Sequence, residues 1–192
     1  MPLPPSPGSA EHVCIDLANS RLQLPGRSVV DALETPESTT AWLVERGLVG
    51  AEASLQEYCQ NRLAGLRRDV TCALAARVDH LELDPRVLDG INAALVAVPN
   101  NSLLHFVPDG GFFRSAEHPV TLLVEHAMSV IAEDLATLLT GDDAELLARC
   151  TAEPCERYFL KTHGRRQWCS IRCGDRVRAA RAYARKREGL RQ

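Results

Sequence analysis

Four cysteines near the C-terminal end have the types and spacing of a metal site. They run Cys150-x4-Cys155-x13-Cys169-x3-Cys173, two close pairs separated by a short segment. A close pair curls so that both sulfurs face one ion, and the intervening segment brings the pairs together into a tetrahedron. Thiolates of a reducing compartment favour Zn²⁺ over an iron–sulfur cluster. The expectation is one structural zinc held by Cys150, Cys155, Cys169 and Cys173. His163 is the substitute ligand in second place, because four cysteines already fill four positions. No open coordination position or neighbouring base points to a catalytic metal, and the absence of a Cys-x-x-Cys pattern argues against redox chemistry.

Positive charge gathers at the same end. Residues 1–149 carry 10 Lys/Arg against 21 Asp/Glu, whereas residues 150–192 carry 12 against 4, so a body of net −11 is joined to a tail of net +8. Such a split suggests two jobs, and a basic tail suits a polyanionic partner. After Cys173 the sequence "GDRVRAARAYARKREGLRQ" predicts a helix beginning at Gly174 or Asp175. Arg178, Arg181 and Arg185 share one face of it. Arg172, Arg176, Lys186 and Arg187 widen the positive surface, and Val177, Ala180 and Ala184 form an apolar stripe to lie against the zinc module. With Arg165 and Arg166 these are the candidate DNA contacts. The competing reading is a solvated face or a protein contact.

The elements that must position these residues are mostly helical. "HVCIDLANS" predicts a short helix, and "LPGRSVVDAL" carries a Pro–Gly turn signal. "TPESTTAWLVERGLV" predicts a helix capped by Thr35, opened by Pro36 and stopped at Gly47, burying Trp42, Leu43 and Leu48. The longest pattern runs through residues 51–80, where Leu55, Tyr58/Cys59, Arg62/Leu63, Leu66, Val70, Leu74 and Val78 recur at steps of three or four. Another helix restarts after Asp84–Pro85 and ends at Pro99. A hairpin is expected around Pro108–Asp109–Gly110–Gly111, and "HPVTLLVEHAMSVIAEDLATLL" predicts a helix stopped by Gly141. Cys14, Cys59 and Cys72 lie among apolar neighbours and are expected to be buried small hydrophobes. Within the zinc module a hairpin is expected between Tyr158-Phe159-Leu160 and Gln167-Trp168, with Phe159 and Trp168 as its small core.

The fold expected is therefore mainly α: a helical bundle with a small β-hairpin, plus a C-terminal zinc-stapled hairpin-and-helix module. The domains are a disordered, Pro-rich leader over residues 1–10, a helical domain over 11–149 and the basic zinc module over 150–192. The start has no secretory signal pattern, and no uncharged apolar run approaches the roughly 18 residues of a membrane span. A cytoplasmic protein without a membrane role is expected.

These residues carry a family resemblance. Phe159-Leu160, Arg165-Arg166-Gln167-Trp168-Cys169-Ser170 and Cys173-Gly174-Asp175-Arg176 resemble the tail of the CGNR zinc-finger family. "CIDLANS", with Asp16 and Asn19, and the later Trp42-Leu43 helix resemble the ABATE domain of stress-induced transcription regulators. The sequence departs from the family tail at Asp175, which stands where the name motif has Asn, at Gln167, and in a shorter loop. The resemblance implies a bacterial transcription regulator that binds duplex DNA through its zinc module. Its N-terminal domain would sense a small-molecule ligand or form a homodimer. The alternative is a zinc-dependent protein- or RNA-binding adaptor. No enzyme activity is expected: Glu125, His126, Glu133 and Asp134 share a predicted helix but lack the Glu-x-x-His spacing of di-iron bundles. Asp16 and Asn19, one helical turn apart, are expected to be structural.

Overall fold

A computed structural model of the chain describes residues 4–26, 28–98, 103–108, 110–115 and 122–189. Pro99 as a helix stop, Asp109 in the expected turn, the start of the "HPVTLL" segment and the first three residues of the leader lie outside the described residues. Six α-helices are described: α1 (Val13–Ala18), α2 (Pro36–Glu45), α3 (Glu57–Asp79), α4 (Pro85–Val96), α5 (Leu123–Thr140) and α6 (Ile171–Gly189). Three two-stranded antiparallel sheets join them. β1 (Arg21–Gln23) pairs with β2 (Val29–Asp31), β3 (Leu103–Val107) with β4 (Gly111–Ser115), and β5 (Leu147–Arg149) with β6 (Tyr158–Leu160).

Local chemistry sets the helix ends. Thr35 caps α2 by accepting the Ser38 N–H at 3.2 Å, and the Ser38 hydroxyl accepts the Thr35 N–H at 3.1 Å, a reciprocal capping box. Asp84 accepts the Arg86 N–H at 2.9 Å at the start of α4, and Pro85 occupies the first turn. Gly47, with φ of +65°, turns the chain after α2. The long apolar pattern becomes α3 only from Glu57 onward. Leu63, Leu66, Val70 and Leu74 of α3 are buried with Val124, Ile131, Leu135 and Leu138 of α5 and with Cys14, Ile15 and Leu17 of α1. Burial of each Leu or Ile in this cluster contributes about 1.5–3 kcal/mol. Tyr58 points outward, 69% exposed, and Cys59 is half-buried. Cys14 is fully buried as expected, but Cys72 is exposed.

Ionic contacts fix α1. Asp134 of α5 accepts the Cys14 N–H and a His12 ring N–H, each at 2.8 Å, and so caps α1 from another helix. The other His12 nitrogen lies 3.3 Å from Asp143. Asp16 pairs with Arg46, and Glu125 with Arg62. Asp16, Glu125 and Asp134 are thus all engaged in holding helices together.

The last sheet ties the body to the cysteine cluster. Side chains alternate across a strand, and both faces of β5–β6 are covered. Leu147, Tyr158 and Leu160 pack into the helical core, whereas Ala148 and Phe159 pack with the cysteines. The free edge of β6 is covered as well. The Asn19 side chain accepts the Tyr158 N–H and donates to the Tyr158 carbonyl, both at 2.8 Å, and Leu160 N–H donates to the Pro7 carbonyl at 2.8 Å. The stretch expected to be a disordered leader is therefore ordered from Pro4. Its Pro4 carbonyl accepts from Arg157 at 2.8 Å, and Gly8 sits where a Cβ would come within 2.5 Å of Leu160 Cγ. Its proline carbonyls supply acceptors that a bare strand edge lacks. The pairing of β6 with β5 likewise replaces the hairpin expected between Tyr158–Leu160 and Gln167–Trp168. The residues just before Cys150 are extended, with Leu147 and Ala148 buried, and they offer β6 a ladder that leaves Gln167 and Trp168 free to turn.

Two measurements check this description. Burial disfavours a charged His12, but its hydrogen bonds to Asp134 and Asp143 outweigh that and raise its pKa above the usual 6.5. The raised pKa stabilises the fold below about pH 6.5, and this contribution is lost as pH rises through the folded value. Melting temperature should fall over that window, and His12→Gln should remove that component of the pH dependence. Asn19→Ala leaves two buried backbone groups of Tyr158 unpaired, each costing about 1–3 kcal/mol. A denaturant titration should show a loss of at least that size.

Candidate metal centre and basic helix

The first cysteine pair sits on the turn of the β5–β6 hairpin. Cys150 extends the ladder by one rung, its N–H donating to the Arg157 carbonyl at 2.9 Å. The Cys155 N–H closes a tight turn on the Ala152 carbonyl at 2.8 Å. The second pair sits where a loop enters α6. Ser170 accepts the Cys173 N–H at 3.3 Å in the manner of an N-cap, so the helix starts at Ile171 rather than at Gly174 or Asp175. Thr151 ties the two halves together, its N–H and hydroxyl both donating to the Gln167 carbonyl at 3.3 Å.

This brings all four sulfurs within 4.8 Å of one another, and all four cysteines are buried. The Cys155–Cys169 and Cys169–Cys173 sulfur pairs are 3.7 Å apart. Four sulfurs at about 2.3 Å from a tetrahedral Zn²⁺ lie about 3.8 Å from each other, so the cluster has the size of a zinc site. Its proton balance calls for a cation. Hydrogen bonds from Cys155 and Cys169 pull the Cys150 thiol down to about 2. The same crowding pushes Cys155 up and Cys169 up to about 12. Cysteines bind a metal as thiolates, so a divalent ion held here releases protons from the cluster. The N-terminus of α6 and nearby N–H groups also favour thiolates. Cys169 N–H lies 3.5 Å from Cys150 Sγ, and an Arg176 Nη lies 3.7 Å from Cys173 Sγ. His163 is exposed at the loop tip and takes no part in the cluster.

The family comparisons agree with this geometry. Residues 11–142 match the ABATE family, described as "Putative stress-induced transcription regulator", and residues 147–186 match the CGNR zinc finger. The chain belongs to the ABATE family. A comparison with curated proteins found no match. Its CGNR module binds one zinc ion through Cys150, Cys155, Cys169 and Cys173.

Within this CGNR module each residue of the name motif has a visible task. Cys173 is a ligand. Gly174 is required by the close approach of Trp168, whose ring would lie 2.9 Å from a Cβ there. Asp175, in the place of Asn, pairs with Arg178 at 2.6 Å on the surface. Arg176 donates to the Ala152 carbonyl at 2.6 Å and the Glu153 carbonyl at 3.1 Å, closing the first cysteine turn onto the helix. Phe159 and Trp168 do form the module's small core, joined by Val177. Ala180 and Ala184 are exposed, so the expected apolar stripe packs only through Val177.

The candidate DNA contacts fall into two groups. Arg166 donates to the Trp168 and Cys169 carbonyls at 3.0 and 3.1 Å, Arg176 binds the cysteine turn, and Arg178 lies over the Trp168 ring at 5.6 Å. These three hold the module together. Arg165, Arg172, Arg181, Arg185, Lys186 and Arg187 are exposed and form no salt bridge among the described residues. At about 100° per residue, Arg178, Arg181 and Arg185 share one face of α6, and Arg172, Arg176, Lys186 and Arg187 share the opposite one. The sequence missed Arg157, which is 5% exposed beside the cluster and carries positive charge toward Cys169. A single arginine beside Glu156, ahead of Tyr158-Phe159-Leu160, gave no signal.

Cys169→Ser should release the zinc, read by metal analysis of the purified protein. The shared hairpin makes a further demand. Calorimetry should show one unfolding transition for body and module together, and chelation should lower its midpoint. Two separate transitions would contradict the two-sided role of β5–β6.

Proposed function

We propose that the chain regulates transcription by binding duplex DNA through the zinc-anchored helix α6, with the helical body as a sensing or oligomerising domain. The observation that carries this reading is the state of α6. Its first turns are fixed to the zinc site, and from Arg178 to Glu188 it is exposed on every side. A helix that leaves the body and is basic on opposite faces suits the DNA major groove, which admits an α-helix between two phosphate backbones. Acidic charge on the body keeps nucleic acid to this end of the molecule. No helix among the described residues is long and apolar enough to cross a membrane.

Arg166 and Arg176 are positioning residues in this reading, and the six unpaired cations make the phosphate contacts. Asp175 is turned to Arg178, which reduces its repulsion toward a phosphate. Phosphate contacts release counterions, so affinity should fall steeply with salt. With about five of these six engaged at once, the log–log slope is about −4 to −5. Arg181→Ala should weaken binding to all duplexes and flatten the slope by about one unit. Replacing Arg185, Lys186 and Arg187 by alanine should flatten it by about three. Titration of zinc-loaded protein with random duplex DNA at several salt concentrations tests this. Unchanged affinity in both variants would favour the alternative, a protein- or RNA-binding adaptor.

A further inference from the structure

A cleft of about 980 Å³ opens between α3, the β1–β2 hairpin and the cysteine turn. Arg21, Arg67, Arg68, Arg149 and Arg157 line it against two carboxylates, Asp31 and Glu156. In a body of net −11 this is a local reversal of sign.

Not all of this charge is neutralised. Arg67 holds both oxygens of Asp31, at 2.5 and 2.9 Å, which leaves Arg21 a loose approach of 3.7 Å to the same carboxylate. Arg68 makes no salt bridge or hydrogen bond among the described residues, only a longer-range attraction to the neighbouring Asp69, and it lies over Gly65, where a Cβ would be 3.8 Å from its Nη2. Arg157, 5% exposed, lines the inner end and has an Nε without a hydrogen-bond partner. The wall supplied by α3 is built from small side chains. Ala64, Gly65, Cys72 and Ala75 recur on the face that carries Arg68. Gly65 stands inside a 23-residue helix, where alanine would be the better helix former, and its missing side chain leaves the cleft open.

We propose that this cleft binds a small organic anion. Its phosphate or carboxylate groups meet Arg68 and Arg21, and its apolar part rests on the small-residue face of α3. The opposite wall is Pro154, Cys155 and Glu156, so one bound molecule touches the helical body and the zinc turn together. This gives the sensing role proposed above a location and a ligand class, and it rests on that reading only for its regulatory consequence. Binding itself is independent of DNA.

The test uses the full zinc-loaded chain at fixed ionic strength. Pyrophosphate, citrate and adenosine 5′-monophosphate are titrated by calorimetry, with adenosine as the uncharged control. At least one anion should bind at one site per chain and raise the melting temperature, and adenosine should not. Arg68→Gln should weaken that binding about ten-fold, the loss of one charge-assisted contact. Gly65→Leu should block it while leaving the helical signal intact, and the Arg185/Lys186/Arg187 triple-alanine variant should bind the anion normally. Failure of all three anions to bind would overturn the proposal. So would binding that survives Arg68→Gln and Gly65→Leu but disappears in the triple variant, since α6 would then be the anion site. Loss of DNA binding in the triple variant, with anion binding unchanged, separates the DNA reading from this one.

Discussion

The structure depends on a three-residue strand that has no spare side. β6 is bonded to β5 along one edge and to Asn19 and Pro7 along the other, its Tyr158 and Leu160 enter the helical core, and its Phe159 enters the zinc core. A two-stranded hairpin is marginal in water, but one covered on both faces and both edges is not. The strand therefore transmits position. The end of α1 places Asn19, Asn19 places Tyr158, and the hairpin turn that leads into Tyr158 places Cys150 and Cys155. The N-terminal residues belong to this arrangement, because without Pro4 and Pro7 the edge of β6 and one side of Arg157 would lose acceptors. A boundary drawn at the first cysteine divides the charges cleanly yet cuts through the hairpin that both cores share.

The same logic explains the arginines around the metal. A zinc tetrathiolate carries a formal charge of −2, and burying it requires donors and positive charge nearby. Arg176 reaches one sulfur and two carbonyls of the cysteine turn, Arg157 lies buried beside the cluster, and Arg166 satisfies the carbonyls of Trp168 and Cys169. Some of the tail's net charge of +8 is thus absorbed by the site itself. The remaining excess belongs to the side chains that reach past it.

Local signals in the sequence carried most of the architecture. Thr35 and Pro36, Asp84 and Pro85, and the steps of three and four through α3 and α5 act within a turn or two of chain, and the structure follows them. The cysteine spacing located the metal centre for the same reason, since each pair must curl on itself. What was not legible was long-range pairing. Nothing local tells Tyr158 to choose the strand before Cys150 over the loop after it, or Asp134 to cap a helix that lies 120 residues away in sequence. The N-terminal leader looked disordered because proline and small polar residues make a poor core. They make a serviceable cover for a strand edge, where only carbonyls are needed. Arginine was ambiguous in a similar way: composition counts charges, and only geometry separates Arg166 and Arg176, spent on carbonyls, from Arg181 and Arg185.

Helix α6 poses a physical problem that its sequence half solves. Past Arg178, which lies over the Trp168 ring, it has no tertiary packing, and isolated helices of about 12 residues are marginal in water. Alanine, arginine and lysine supply propensity, and the zinc site provides a fixed first turn, so the costly nucleation step is already complete. Against this stand like charges one turn apart. Arg181 and Arg185 repel each other by a few tenths of a kcal/mol, with no carboxylate at the intervening positions to relieve them. A polyanion laid along the helix would turn each of these repulsions into an attraction, whereas solvent alone can only screen them. The helix is held at the end where the metal fixes it and strained by its own charge at the end that projects. In the DNA-binding function proposed above, a negatively charged partner would relieve that charge at the projecting end.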